Sequence, residues 1–216
     1  MLKYKKERDD IMKNIVITIG RQLGSGGSAI GKALAEELGI SYYDKNIIEI
    51  AAEKSGIREQ LFKDADEKHN SFLYSLSMAH YSGIASPAYL NDVITNDKLF
   101  VIQSNVIKDI AQKESCIFVG RCASDILSET CKTFNIFIHA PYQTRVERIM
   151  RVYNVPEANA KSLIKKTDKS RASYYNFYSN GKWGNSDSYN LSIDSSLFGI
   201  DGTVKILKEL ILNYYK

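Results

Sequence analysis

Asn14-Ile15-Val16-Ile17-Thr18-Ile19 is a short β-branched run cut off by Gly20, a pattern that predicts a strand buried on both faces. Beyond a glycine-rich turn the period changes. From Ser28 to Leu38 the apolar residues Ile30, Leu34 and Leu38 recur every four positions and Gly39 follows, which predicts a helix with a glycine stop. The alternation recurs downstream, where Ser41–Tyr43, Cys116–Val119 ended by Gly120, Phe134–Ile138 and Tyr189–Ile193 read as further strands. About five strands separated by helical patterns predict a three-layer α/β fold, a parallel sheet with helices on both faces. A final amphipathic helix, about Ile200 to Tyr214, is expected to lay Val204, Leu207, Leu210 and Ile211 on the sheet.

Two segments break the alternation. Residues 45–112 form a long, mostly helical insertion with a looser patch at Ser82–Pro87, the kind of segment that carries substrate contacts. Residues 156–188 begin as a helix rich in Lys, Arg and Tyr and turn polar at Ser179-Asn180-Gly181-Lys182, which reads as a mobile lid. With 216 residues, 44% of them hydrophobic, residues 14–216 suit one domain carrying these two additions.

Composition narrows the class. Cys116, Cys122 and Cys131 form no CxxC pair and are odd in number, so they read as buried small hydrophobes in a reducing compartment. Met1–Lys13 lacks the apolar core of a secretory signal, and no stretch approaches the roughly 20 apolar residues of a membrane span, so a cytoplasmic protein without a membrane partner is expected. The net charge of +4 is too small to ask for nucleic acid without clustering on one face, and it fits a small anionic ligand equally well. His69, His80 and His139 lack metal-ligand spacing, and His139, within a strand, reads as a core residue.

Candidate chemistry gathers after the first strand. Gly20-Arg21-Gln22-Leu23-Gly24-Ser25-Gly26-Gly27-Ser28 feeds a helix, and such a turn presents backbone N–H groups and the positive end of the helix dipole to a phosphate. The expected phosphate contacts are Arg21, Gly24, Ser25, Gly26, Gly27 and Ser28. The standard P-loop, G-x-x-x-x-G-K-[ST], places a lysine where this chain has Gly27. Ser28 suits either the helix N-cap or a metal ligand. A dinucleotide turn is the nearest alternative, with Asp44 near the place of its acidic partner, but the loop is too long for it. Arg121, just past the end of a buried strand, sits where open α/β sheets bind ligands, and Asp44 lies at the matching place after the second strand.

Together with Phe118-Val119-Gly120-Arg121, Ala140-Pro141-Tyr142-Gln143-Thr144-Arg145 with Arg148, Asp168-Lys169-Ser170-Arg171 and Ile193-Asp194-Ser195-Ser196, the lysine-less loop resembles the cytidylate kinase-like family of P-loop proteins. The resemblance implies a P-loop kinase-like fold and an ATP- and Mg2+-dependent phosphotransferase acting on a nucleoside monophosphate or another small anionic acceptor. It implies that Arg121 faces the phosphates and that the helix of Arg145 and Arg148 leads into a lid closing over ATP, so Arg121, Arg145 and Arg171 are expected in catalysis, Arg148 on the nucleotide and Arg121 also on the acceptor. By their own places in the sequence, Asp44 suits the acceptor or metal-bound water and Ser28 suits the metal. Lid cations of that kind neutralise a transferring phosphoryl group. Lys165 and Lys166 extend the positive face, and Asp168 and Arg171, three apart, suit a mutual pair. Tyr174, Tyr175, Phe177, Tyr178 and Trp183 suit base stacking, single-strand binding or plain packing, of which packing is the default. A catalytically silent nucleotide- or anion-binding module is the alternative that the missing lysine favours.

Overall fold

The computed structural model describes residues 15–55 and 96–216. The lead-in through Lys13, His69, His80 and the patch at Ser82–Pro87 lie outside the described residues. The chain divides into two compact units, Met1–Asp44 with Lys108–Lys216, and Lys45–Ile107. In the first unit the elements are β1 (Val16–Arg21), α1 (Gly27–Leu38), β2 (Ser41–Tyr43), β3 (Cys116–Val119), α4 (Ala123–Ile126), β4 (Phe134–His139), α5 (Tyr142–Tyr153), α6 (Glu157–Tyr178), β5 (Leu191–Asp194) and α7 (Gly199–Tyr214). The second contains α2 (Asn46–Ser55), which buries Ile47, Ile48, Ala51 and Ala52. Helix α3 (Asn96–Lys113) leads from it into the first unit.

All five strands are parallel, in the order β2-β3-β1-β4-β5. β1 therefore runs down the middle, and both of its faces must be apolar. Ile15, Ile17 and Ile19 share one face with Ile117, Val119, Ile136, Ile138 and Ile193, and Ile30, Leu34 and Leu38 of α1 and Val204, Leu207 and Ile211 of α7 cover it. Leu210 does not join them and is 42% exposed, because it projects about 100° around the helix from Ile211.

The opposite face carries aromatic residues beside Val16, Thr18 and Cys116. Phe118 is fully buried under Tyr43, ring centroids 5.5 Å apart. Phe137 meets Trp183 edge-on at 5.3 Å and Tyr189 at 4.9 Å, and Tyr189 stacks on Tyr175. The aromatic residues of the expected lid thus divide, Tyr175 and Trp183 packing while Phe177 is exposed.

β2 and β3 end where the sequence pattern ends them. β1 continues through Gly20 to Arg21, because Gly20 and Arg21 pair with Phe137 and Ile138 of β4. β5 begins at Leu191, two residues later than expected, since the Tyr189 amide closes a turn on the Ser186 carbonyl and the Asn135 amide is taken by the Asn190 side chain. His139 is half-buried rather than a core residue. Cys116 and Cys122 are buried and Cys131 is half-buried, all as free thiols, and burial, aided by Asp125, pushes the Cys122 thiol up to about 12. At the other end of the unit, the Tyr215 hydroxyl accepts from the Val16 amide at 3.2 Å and donates to the Val16 carbonyl at 2.7 Å. Among the described residues no helix is long and apolar enough to cross a membrane.

Candidate functional site

The loop from Arg21 to Gly26 crosses the carboxyl end of the sheet where β1 lies between β3 and β4, the crevice in which open α/β sheets take ligands. Each of its backbone carbonyls accepts a hydrogen bond. Arg171 Nη1 donates to the Arg21 carbonyl at 3.1 Å, and Ser25 Oγ to the Gln22 carbonyl at 2.9 Å. Arg145 Nη1 donates to the Leu23 carbonyl at 3.1 Å, and Arg148 Nη1 to the Gly24 carbonyl at 3.2 Å. Ser195 Oγ, fully buried, donates to the Ser25 carbonyl at 2.5 Å, and Ile30 N–H to the Gly26 carbonyl at 2.9 Å. With those carbonyls engaged, the amides of Gly26, Gly27, Ser28 and Ala29 remain at the start of α1, ahead of its first intrahelical bond. That is the arrangement an anion needs.

The glycines have separate reasons. Gly24 and Gly26 both have φ of +82°, a left-handed conformation that favours glycine. A Cβ at Gly24 would also lie 2.7 Å from the Arg145 carbonyl oxygen of α5. Gly27 is different, because its φ is ordinary and its constraint is spatial. A Cβ there would lie 2.5 Å from Arg21 Cβ and 3.0 Å from Arg21 Cγ. The side chain of Arg21 thus starts out across the position where the usual P-loop lysine would begin.

From there Arg21 reaches Asp44, Nη2 to Oδ1 3.2 Å, with both side chains largely buried. The other Asp44 oxygen accepts from Ser28 Oγ at 3.1 Å and from the Tyr42 hydroxyl at 3.3 Å. Burial, reinforced by the Asp44 charge, pushes the Tyr42 hydroxyl up to about 12. Ser28 is not the N-cap of α1: Gly26 takes that position without a side-chain cap bond, and Ser28 turns its hydroxyl to Asp44. A hydroxyl and a carboxylate side by side at the helix end are hard oxygen donors of the kind Mg2+ accepts, so these residues fit a phosphate-bound Mg2+. No three His, Cys, Asp or Glu among the described residues gather into a metal cage.

Arg145 is 7% exposed and pairs with Asp168, Nη1 to Oδ2 2.6 Å, so Asp168 pairs with the neighbouring helix rather than with Arg171. The other Asp168 oxygen accepts from the Leu23 amide at 2.7 Å. Arg171 sits close enough to Arg21 to be affected by its charge, and burial, then that like charge, brings its guanidinium down to about 10. Lys165 and Lys166 point to solvent. Arg121 is half-buried just past β3, in a run of left-handed residues: Gly120, Arg121 and Cys122 have φ of 79°, 60° and 55°. Non-glycine residues rarely hold that conformation, and such strain concentrates at functional sites.

Of the residues singled out from sequence, the structure gathers Arg21, Gly24, Ser25, Gly26, Gly27, Ser28, Asp44, Arg145, Arg148 and Arg171 around one loop. Sequence reasoning gave no role to Ser195, Tyr42 or Gln22, whose side-chain oxygen accepts from the Ala140 amide at 3.3 Å. Ser195 carried a signal, a small polar residue directly after an apolar strand, but only its burial shows its use.

A profile of the cytidylate kinase-like family matches residues 16–197. A cytidylate kinase from Aeropyrum pernix is 23% identical over 188 residues, 86% of this chain and 92% of that protein. The crystal structure of an uncharacterized protein from Eubacterium ventriosum is similar with a TM-score of 0.68 at 30% identity, covering 91% of this chain and 98% of that one. Shikimate kinase from Acinetobacter baumannii, in complex with shikimate, shares the fold with a TM-score of 0.52 at 13% identity, covering 96% and 98%.

Proposed function

This chain belongs to the cytidylate kinase-like family, and on that premise we propose that it is an ATP-dependent phosphotransferase whose acceptor is a nucleoside monophosphate or another small anion. The observation that carries the reading is the loop backbone: carbonyls 21 to 26 are all engaged by donors, while the amides of Gly26 to Ala29 come ahead of the first intrahelical bond of α1.

Each residue then has a task that needs no covalent chemistry, since phosphoryl transfer is stabilised mainly by position and charge. The amides of Gly26, Gly27, Ser28 and Ala29 bind the phosphate chain. Arg21, entering across Gly27, supplies the cation that the lysine would have given, and Arg171 beside it raises the positive potential where negative charge gathers. Asp44 fixes the Arg21 guanidinium and the Ser28 hydroxyl together. Arg121, held past β3, meets the acceptor's anionic group. Ser28 and Asp44 are the residues that would hold Mg2+, which neutralises charge on the phosphates when bound. Arg145 and Arg148 act on the loop carbonyls and shape the cradle.

A panel of nucleoside monophosphates and other small anionic acceptors, offered with ATP and Mg2+ and read by ADP formation, tests the proposal. Acceleration by one of them is the expected result; binding of ATP with no acceptor accelerating ADP formation refutes catalysis. The missing lysine favours a second reading, a silent nucleotide-binding module. Arg21→Lys separates the two: in a phosphotransferase that relies on this cation it lowers turnover while keeping most of the affinity, and in a silent module there is no turnover to lower.

A further inference from the structure

We infer that Asp168 is a positioning residue for the phosphate loop: with Arg145 it fixes the peptide groups on both sides of Leu23, so that the lid helix α6 sets the shape in which the loop receives an anion. The inference rests on the proposed phosphate site for its ligand alone.

One Asp168 oxygen takes the Leu23 N–H at 2.7 Å, the other takes Arg145 Nη1 at 2.6 Å, and that same Nη1 reaches back to the Leu23 carbonyl at 3.1 Å. The contacts close a ring around a single residue. A carboxylate suits the place because it accepts at two oxygens at once and its charge shortens and strengthens both bonds. The side chain of Leu23 is anchored too, packed against Val146, Ile149, Ala160 and Ile164 of α5 and α6. Residue 23 is thus held by its amide, its carbonyl and its side chain, all from outside the loop.

The turns beyond Leu23 depend on that anchor. Gly24 is left-handed directly after it, against the Arg145 backbone, and Gly26 is left-handed before α1 begins. Arg171, one turn along α6 from Asp168, holds the carbonyl of Arg21. α6 therefore grips the loop on both sides of Gln22, and a helix expected as a mobile lid is joined to the site it was expected to cover.

Asp168 also has a rival role. A carboxylate on the amide of a glycine-rich loop resembles a bound anion, and a side chain standing in the phosphate's place would compete with it. The ring argues for positioning, because Asp168 meets the amide at Leu23, ahead of both left-handed turns, and leaves the amides at the head of α1 alone. The two roles predict opposite signs.

The test uses the full chain, as wild type, Asp168→Ala and Asp168→Asn. Two quantities are measured: hydrogen exchange of the amides of residues 21–29 without ligand, and binding of inorganic tripolyphosphate by calorimetry. Asp168→Ala is expected to speed exchange from Leu23 through Ala29 and to weaken tripolyphosphate about tenfold, equal to about 1.4 kcal/mol. Asp168→Asn retains an oxygen for the Leu23 amide but loses the charge toward Arg145, so it is expected to show both effects in the same direction at a smaller, measurable size, which keeps the test in force if Asp168→Ala leaves Arg145 too poorly compensated to fold. Loop exchange unchanged in the variants overturns the inference, as does tripolyphosphate bound as tightly as, or more tightly than, by the wild type. A wild-type chain that binds no tripolyphosphate refutes the phosphate site instead, while exchange still decides whether Asp168 orders the loop.

Discussion

A single methyl group at Gly27 separates a glycine kept for backbone freedom from one kept for space. Gly27 opens α1 with an ordinary φ, so by propensity alone Gly27→Ala would stabilise the helix by at most about 1 kcal/mol. The new Cβ would lie 2.5 Å from Arg21 Cβ, well inside the roughly 3.5–4.0 Å at which carbon atoms rest. Its neighbour is the root of a side chain on the central strand, not a flexible tip, so relief requires moving β1 away from α1. Overpacking of that kind costs about 1–3 kcal/mol, which outweighs the gain in propensity, and the net expectation is a loss of about 1–2 kcal/mol. Urea unfolding measures it, with tripolyphosphate binding as the second readout. Restoring the usual lysine with Gly27→Lys meets the same atoms and is expected to weaken binding rather than strengthen it. Arg21→Ala retains Cβ and does not relieve Gly27→Lys, whereas Arg21→Gly removes the obstruction and does. A Gly27→Ala protein as stable as the wild type, or equal rescue by Arg21→Ala and Arg21→Gly, refutes the reasoning.

Two further outcomes are expected at the site. Arg121 carries a left-handed φ of 60°, which costs a non-glycine residue about 1–2 kcal/mol. Arg121→Gly should therefore raise the urea midpoint while lowering turnover of the proposed acceptor reaction, and a less stable variant would show that the backbone there is not strained. Tyr42 loses its proton near 12 in the folded protein against about 10 unfolded. The folded state thus keeps a proton that the unfolded chain has released, so this stability is intact below pH about 10 and falls as pH rises toward about 12. Tyr42→Phe should flatten the fall in urea midpoint over that range, and an identical slope in both proteins would count against it.

The sheet was largely legible in the sequence because parallel strands buried on both faces leave continuous apolar runs. Cys116–Val119 ends at a glycine and so does the strand. Gly20 is also a glycine but does not end β1, since the β4 backbone pairs with it regardless of its side chain, and pairing partners are invisible in a hydropathy pattern. The glycine-rich loop was legible for the same reason as the strands, as a local pattern. The hydrogen-bond partners of the arginines were not. Arg145 read as a catalytic cation and Arg148 as one for the nucleotide, and in the fold each donates to a loop carbonyl, a partner more than a hundred residues away that no spacing rule connects to them. Asp168 was expected to pair along its own helix because positions three apart share a face, but the buried guanidinium of Arg145 on the adjacent helix took it. Arg21 at Gly27 is the plainest case: the sequence shows a lysine missing, and only the close approach of β1 to α1 shows that an arginine side chain already occupies the space.

The placement of β1 also governs how the chain can come together during synthesis. The strand that carries the loop is made first and lies in the middle of the sheet, yet its partners Cys116–Val119 and Phe134–Ile138 emerge roughly a hundred residues later. Tyr215, which closes on Val16, comes later still. A ribosome-bound chain therefore carries β1 with both edges unpaired until those strands have been made. Such distant pairing makes folding slow and leaves an apolar strand exposed to association meanwhile. A fragment ending before β4 would contain every glycine of the loop and still lack the sheet needed to hold it.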